Sequence, residues 1–342
     1  MKINDKQIKI LKFFLSRFLF FGLGISLILN TGEKDSLLAV ILGYFLGIII
    51  ICIFNKLLTS INSKSIKKSE YLNIAIRLIL CILYLFLISL GIIIFVCFIR
   101  DFFLPYTNTI TTSLPFILLA VYLALKGMNA IAKSGEILFY ILIVGFILTF
   151  FALLPASDMD NFLPILTINK CSFIKTSISF ALLSTTPFLL MIDEKSNLKN
   201  DLKAYSLGTI TIFLTLFIII SIFGSNLVKT FSYPEYVVLR QIKVFNFLEN
   251  IENFIVLSWF FDIFITLSIA FNKLNKITKI KNKYINYLFS ILLLIIINKL
   301  FIENYLRIDY IFKYIDIILF IFYTIIFSLL FIKNVIIKSN GK

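Results

Sequence analysis

The stretch LAVILGYFLGIIIICIF, Leu38–Phe54, carries no charge and has no polar side. A helix of a soluble domain shows apolar positions at a period of 3.6 residues with a polar face opposite. Here every face is apolar, so the surrounding medium must be apolar as well. A hydrocarbon layer about 30 Å thick needs about 20 apolar residues of helix to cross it. Within that layer the backbone must satisfy its own polar groups, and a helix does so. Runs of this kind recur through the chain, Leu288–Asn298 among them. Ten helices are predicted, at 10–30, 36–55, 72–99, 112–126, 132–154, 174–192, 204–227, 248–271, 284–303 and 309–333. The chain reads as a single transmembrane domain over residues 1–342, an all-α integral membrane protein held in a lipid bilayer.

Composition agrees. Sixty per cent of the residues are hydrophobic, with 39 Phe, and mean hydropathy is +1.01. The net charge of +15 would suit a nucleic-acid binder, but its distribution speaks against one. Of 33 Lys and Arg, 21 lie in the N-terminal tail, in alternate loops (56–68, 126–133, 195–203, 273–283) and in the C-terminal tail. The other loops hold 10. That alternation is the positive-inside pattern; it places both termini in the cytoplasm of a multi-pass cell-membrane protein and excludes nucleic acid as the expected partner. Histidine is absent, and Cys52, Cys81, Cys97 and Cys171 form no CxxC pair, so no metal, disulfide framework or cofactor is expected. No cleavable leader is expected either, because the first apolar run leads straight into the multi-span pattern. There is no phosphate-binding loop motif and no HExxH. The paired acids Asp193-Glu194 and Asp158/Asp160 fall in loops assigned to opposite membrane faces, so no catalytic residue is predicted and the chain is not read as an enzyme.

The longest break between helices five and six, Pro155–Lys175, divides the spans into two groups of five, about 10–154 and 174–333. With an odd number in each group, the second repeat inserts upside down, which is a transporter architecture. The first helix of each group is interrupted near its middle, at Gly22-Leu23-Gly24-Ile25-Ser26 and at Ser184-Thr185-Thr186-Pro187. Glycine costs about 1 kcal/mol relative to alanine in a helix, and Pro187 denies Leu183 its usual N–H partner. An opened helix offers N–H groups to a carboxylate and carbonyls to a cation. Gly22, Gly24 and Ser26, with Ser184, Thr185 and Thr186 opposite, are therefore the candidate ligand-binding residues. The alternative reading of each break is close helix packing.

Charges at membrane depth add further candidates. Asp262 in helix 8 costs about 2.5–3.5 kcal/mol on insertion scales and should face the bundle interior. Asp262 and Glu136, which opens helix 5, are candidate proton or cation sites. Arg17 lies near the cytoplasmic end of helix 1 and is expected to snorkel. Asp316 is expected to pair with Lys313. Segment 231–252, with Tyr236, Leu239, Ile242 and Val244 or Phe247 at near-helical spacing, reads as a short interfacial helix.

Four stretches carry a resemblance to the spore germination permease family, the B-type subunit of nutrient germinant receptors. They are Arg17–Ser26; Gly127-Met128-Asn129-Ala130 through Glu136; Leu154-Pro155 with Asp160-Asn161-Phe162-Leu163-Pro164; and Tyr233-Pro234-Glu235 through Arg240 to Glu252. The resemblance implies a leucine-transporter-like fold within the amino acid–polyamine–organocation transporter superfamily, built as ten helices in a 5+5 inverted repeat with helices 1 and 6 discontinuous. It implies a receptor subunit in the spore inner membrane that binds a small nutrient, an amino acid first, and signals germination. It also implies two partners, an A-type membrane subunit and a C-type lipoprotein. The alternatives are a proton-coupled amino acid permease and a structural subunit without a ligand. Where the family often reads Pro-Phe-Gly-Glu in helix 6, this chain has Pro187-Phe188-Leu189-Leu190, and Asn250 stands where a basic residue is often seen.

Overall fold

A computed structural model describes residues 3–62, 70–164, 168–194, 197–240, 251–278, 282–302 and 305–339. All regular structure among them is helical: α1 (Asp5–Arg17), α2 (Ile25–Gly32), α3 (Ser36–Asn62), α4 (Glu70–Phe102), α5 (Thr109–Lys126), α6 (Met128–Leu153), α7 (Lys170–Thr185), α8 (Leu198–Val228), α9 (Pro234–Leu239), α10 (Ile251–Thr278), α11 (Lys283–Ile302) and α12 (Tyr305–Ser339). Seven stretches among the described residues are long and apolar enough to cross a membrane, the first of them running from Asp5 to Leu58. The helices lie where the apolar runs lie, most of them starting a few residues earlier, and α7 ends at Thr185, short of the predicted 192.

Helix α1 lies inside the bundle, packing on α8, α6 and α10. It stays in the interior although it carries charges, because its two buried charges each meet a partner. Lys12 reaches Asp201 of α8 at 2.6 Å, and Arg17 reaches Asp262 of α10 at 3.2 Å with both side chains 1% exposed. Arg17 therefore does not snorkel; it is enclosed by its partner helices. The α1–α8 contact is tight: a Cβ on Gly208 would sit 1.8 Å from Ser16 Oγ. Small residues permit this approach where lipid gives no hydrophobic drive for helices to associate. Between α8 and α10, the segment predicted as a short interfacial helix forms α9. Its members Ile242, Val244 and Phe247, like Asn250, lie outside the described residues.

Helix α8 has an interruption that hydropathy does not reveal. Gly224 has φ +66, and the carbonyl of Ser221 is taken by Asp158 N–H at 2.9 Å and Asn161 Nδ2 at 2.8 Å. The polar connector after α6 thus replaces the helix's own ladder there.

Candidate functional site

The predicted interruption of helix 1 is present. At Phe21 ψ swings to 128°, which turns the following peptide out of the helical ladder, and Gly22 takes φ +80. That left-handed conformation favours glycine. A Cβ at Gly22 would also lie 2.6 Å from Ile94 Cγ2 of α4, so both conformation and space require glycine. The chain re-enters the helix through a wide turn in which Gly24 N–H bonds Leu19 O at 2.9 Å. Gly24 itself is helical, with φ −69. The freed Gly22 N–H donates to Glu235 Oε1 of α9 at 2.7 Å.

The second interruption tightens instead of opening. α7 ends at Thr185 and continues as a 3₁₀ turn over Thr186–Met191. The hydroxyls of Ser184, Thr185 and Thr186 donate to the carbonyls of Phe180, Ala181 and Leu182 at 2.7, 2.6 and 2.6 Å. Hydroxyls bonded back to the preceding turn satisfy backbone acceptors that an open segment would present to a ligand. Three tyrosines close over the segment. Tyr84 of α4 donates to Leu189 O at 3.2 Å, Tyr205 of α8 meets Ser184 Oγ at 3.2 Å, and Tyr323 of α12 donates to Thr185 Oγ1 at 2.7 Å. All three predicted helix-6 residues are fully buried.

The two segments approach each other, with Phe20 and Phe180 rings 5.0 Å apart, and neither cavity described below is lined by both. A vestibule of about 470 Å³ lies on the helix-1 side. Gly22 and Ser26 line it, and Gly24, Ser184, Thr185 and Thr186 do not. Its polar lining includes Asn30, Asp101, Lys175, Lys313 and Asp316. Asp316 takes a hydrogen bond from Ser179 of α7 at 2.6 Å, where a pair with Lys313 was expected, and its Oδ1 has no hydrogen-bond partner. A space of this size holds a small metabolite of either charge, because acids and lysines face it together.

Behind the break, a cavity of about 50 Å³ is lined by Arg17, Phe21, Glu235 and Trp259 among others. Arg17 stacks its guanidinium on Phe13 and Phe21 at 5.1 and 4.9 Å, and Phe21 stacks on Trp259 at 5.2 Å. The candidate cation residue Asp262 is thus occupied by Arg17. The other candidate, Glu136, lies away from the vestibule. It binds Lys6 at 2.9 Å and clamps the start of α1 to α6. Among the described residues no group of three or more His, Cys, Asp or Glu is placed to hold a metal ion.

Glu235 is the residue that sequence reasoning missed. It is 3% exposed and stands on a loop helix, Pro234–Leu239, outside the spans. Burial pushes its carboxyl up to about 7, against the Gly22 N–H, which favours the ionised form. A glutamate directly after proline in a polar connector looks like a surface residue. Its only distinguishing signal was the run of apolar and aromatic neighbours, Tyr233, Tyr236, Val237, Val238 and Leu239.

Residues 11–306 match the family model described as spore germination protein. YfkT of Bacillus subtilis (strain 168), named for spore germination, is 26% identical over 230 residues. The match covers 63% of this chain and 63% of YfkT, so the chain spans just under two thirds of that relative's length. An all-helical membrane chain whose sequence matches that model from the first helix nearly to the last belongs to the spore germination permease family.

Proposed function

We propose that the protein is the membrane subunit of a spore nutrient germinant receptor that binds a small nutrient, an amino acid first, and passes the event to partner subunits. The observation that carries this reading is the helix-1 break at Phe21–Gly22 facing a vestibule of about 470 Å³. In this reading the ten helices form two inverted groups of five, with both termini cytoplasmic and the vestibule on the far side. An A-type membrane subunit and a C-type lipoprotein are the proposed partners. Ligand binding favours one arrangement of the bundle, and it can do so only by its differential affinity for the two arrangements.

A binding screen of the purified protein against free amino acids and sugars tests this. We expect saturable binding of one such class, weakened at least tenfold by Ser26→Leu, which fills the vestibule wall. Failure of every member to bind would end the ligand-binding reading and leave a structural subunit.

The second reading is a proton-coupled permease. The buried Arg17–Asp262 contact favours it, since ionisable pairs at membrane depth serve proton relays in pumps and transporters. Uptake of labelled amino acid into proteoliposomes above empty vesicles, abolished in Asp262→Asn, would decide for the permease.

A further inference from the structure

The helix-1 break already holds a carboxylate. Gly22 N–H, released from the ladder, meets Glu235 Oε1 at 2.7 Å, the distance of a charge-assisted hydrogen bond. The other oxygen, Oε2, is buried without a hydrogen-bond partner. The side chain cannot easily swing away, because α9 is anchored by rings. Tyr233 and Tyr236 each lie 5.3 Å from Phe98, and 5.4 and 4.5 Å from Phe102. Tyr233 also leans on the break itself, 3.5 Å from where a Gly22 Cβ would stand. In an open helix break the N–H groups form an anion seat. Here that seat is filled by a group belonging to the chain.

We propose that Glu235 is a specificity determinant: a resident carboxylate that takes the place of a ligand carboxylate at Gly22 and excludes one from it. This deepens the receptor reading and rests on it for the ligand's route. Glu235 lines the small cavity and not the vestibule, so it takes the Gly22 N–H from behind the break, and a nutrient in the vestibule does not meet it free. Among the groups left to the nutrient are Lys175 and Lys313 for a carboxylate, and Asp316 Oδ1, which lacks a hydrogen-bond partner, for an ammonium. The ligand is therefore read by charges of the vestibule lining and not by the backbone of the broken helix.

The test uses acetate as probe and the chain's single tryptophan as reporter. Trp259 lines the same small cavity as Glu235 and stacks on Phe21, so it senses the state of the break. Full-length wild type, Glu235→Ala and Glu235→Gln are titrated with sodium acetate in detergent, with sodium chloride as the ionic-strength control. Glu235→Ala vacates the seat, and its emission is expected to change saturably with acetate and return toward the wild-type spectrum. Wild type and Glu235→Gln, whose amide oxygen still accepts from Gly22, should respond at least tenfold more weakly. The proposal is overturned if wild type responds at the same acetate concentrations as Glu235→Ala. It is equally overturned if Glu235→Ala unfolds cooperatively on heating yet shows no acetate response. Should Glu235→Ala not fold, Glu235→Ser carries the same comparison. Because acetate is not the nutrient, a failed nutrient screen leaves this result standing.

Discussion

The two interrupted helices start from similar sequence signals and end in opposite states. At Phe21–Gly22 the chain leaves the helix, frees an N–H and gives it to a carboxylate from a segment 213 residues away. At Ser184–Pro187 the chain tightens, and its hydroxyls stay with their own helix. The difference lies in where the backbone finds its partners. Glycine supplies no side chain to satisfy anything, so an opened glycine turn must find its partner elsewhere in the fold. Serine and threonine carry a donor that reaches the previous turn, and a helix so supplied has no reason to open. The open break also sits beside buried charge, while the closed one is sealed by neutral tyrosines.

A set of substitutions and a pH series would break or sharpen this contrast, and the largest effect belongs to the charged side. Asp262→Ala strands Arg17 in the interior and should cost about 3–5 kcal/mol, seen as a lowered midpoint of thermal unfolding in detergent. Combining Arg17→Met with Asp262→Leu removes both charges and should restore most of that loss. A midpoint unchanged by Asp262→Ala would mean that water reaches the pair. Next is Gly22→Ala, which meets both a positive φ and Ile94; on the order of 2–3 kcal/mol should be lost. Gly24 is helical, but its Cβ would lie 2.8 Å from Leu19 O, so Gly24→Ala should also destabilise; a Gly22→Ala protein as stable as wild type would place the break elsewhere.

On the closed side, Thr185→Val leaves the buried Tyr323 hydroxyl without its acceptor. A loss of about 1–2 kcal/mol is expected. No loss, together with gained nutrient binding, would show that the hydroxyls do serve a ligand.

The pH dependence follows from Glu235. Its carboxyl, raised from an ordinary 4.5 to about 7, binds its proton more tightly folded than unfolded. Its contribution is full below about 4.5 and is lost as pH rises through about 7. Midpoints measured between pH 5 and 8 should therefore fall in wild type relative to Glu235→Gln, and parallel profiles would refute the assignment. The smallest effect belongs to Glu136→Ala, which removes a solvent-screened pair with Lys6 and should lower the unfolding midpoint least of the series.

Much of this molecule was legible beforehand because its medium writes directly onto the chain. A run such as Leu38–Phe54 has one stable form in hydrocarbon, so helix positions follow from composition. Gly22 was legible as a break because two close glycines weaken a helix locally. The tightening at Ser184–Pro187 was not, because the same residues suit an open turn or a back-bonded one. Tyr84, Tyr205 and Tyr323 decide between these, and they come from three other helices. Glu235 escaped for a related reason: burial of a loop acid depends on what folds over it.

By itself, then, the amino-acid order determined the helical class, the places of the apolar runs and the weak point at Gly22. These are properties of a segment and its solvent, and they need no distant contact. Only the tertiary structure decided that Arg17 meets Asp262, that Glu235 fills the opened turn, and that the helix-6 hydroxyls are sealed. Each of those outcomes depends on a partner far along the chain. A buried polar group is tolerated only where the assembled bundle brings that partner within reach.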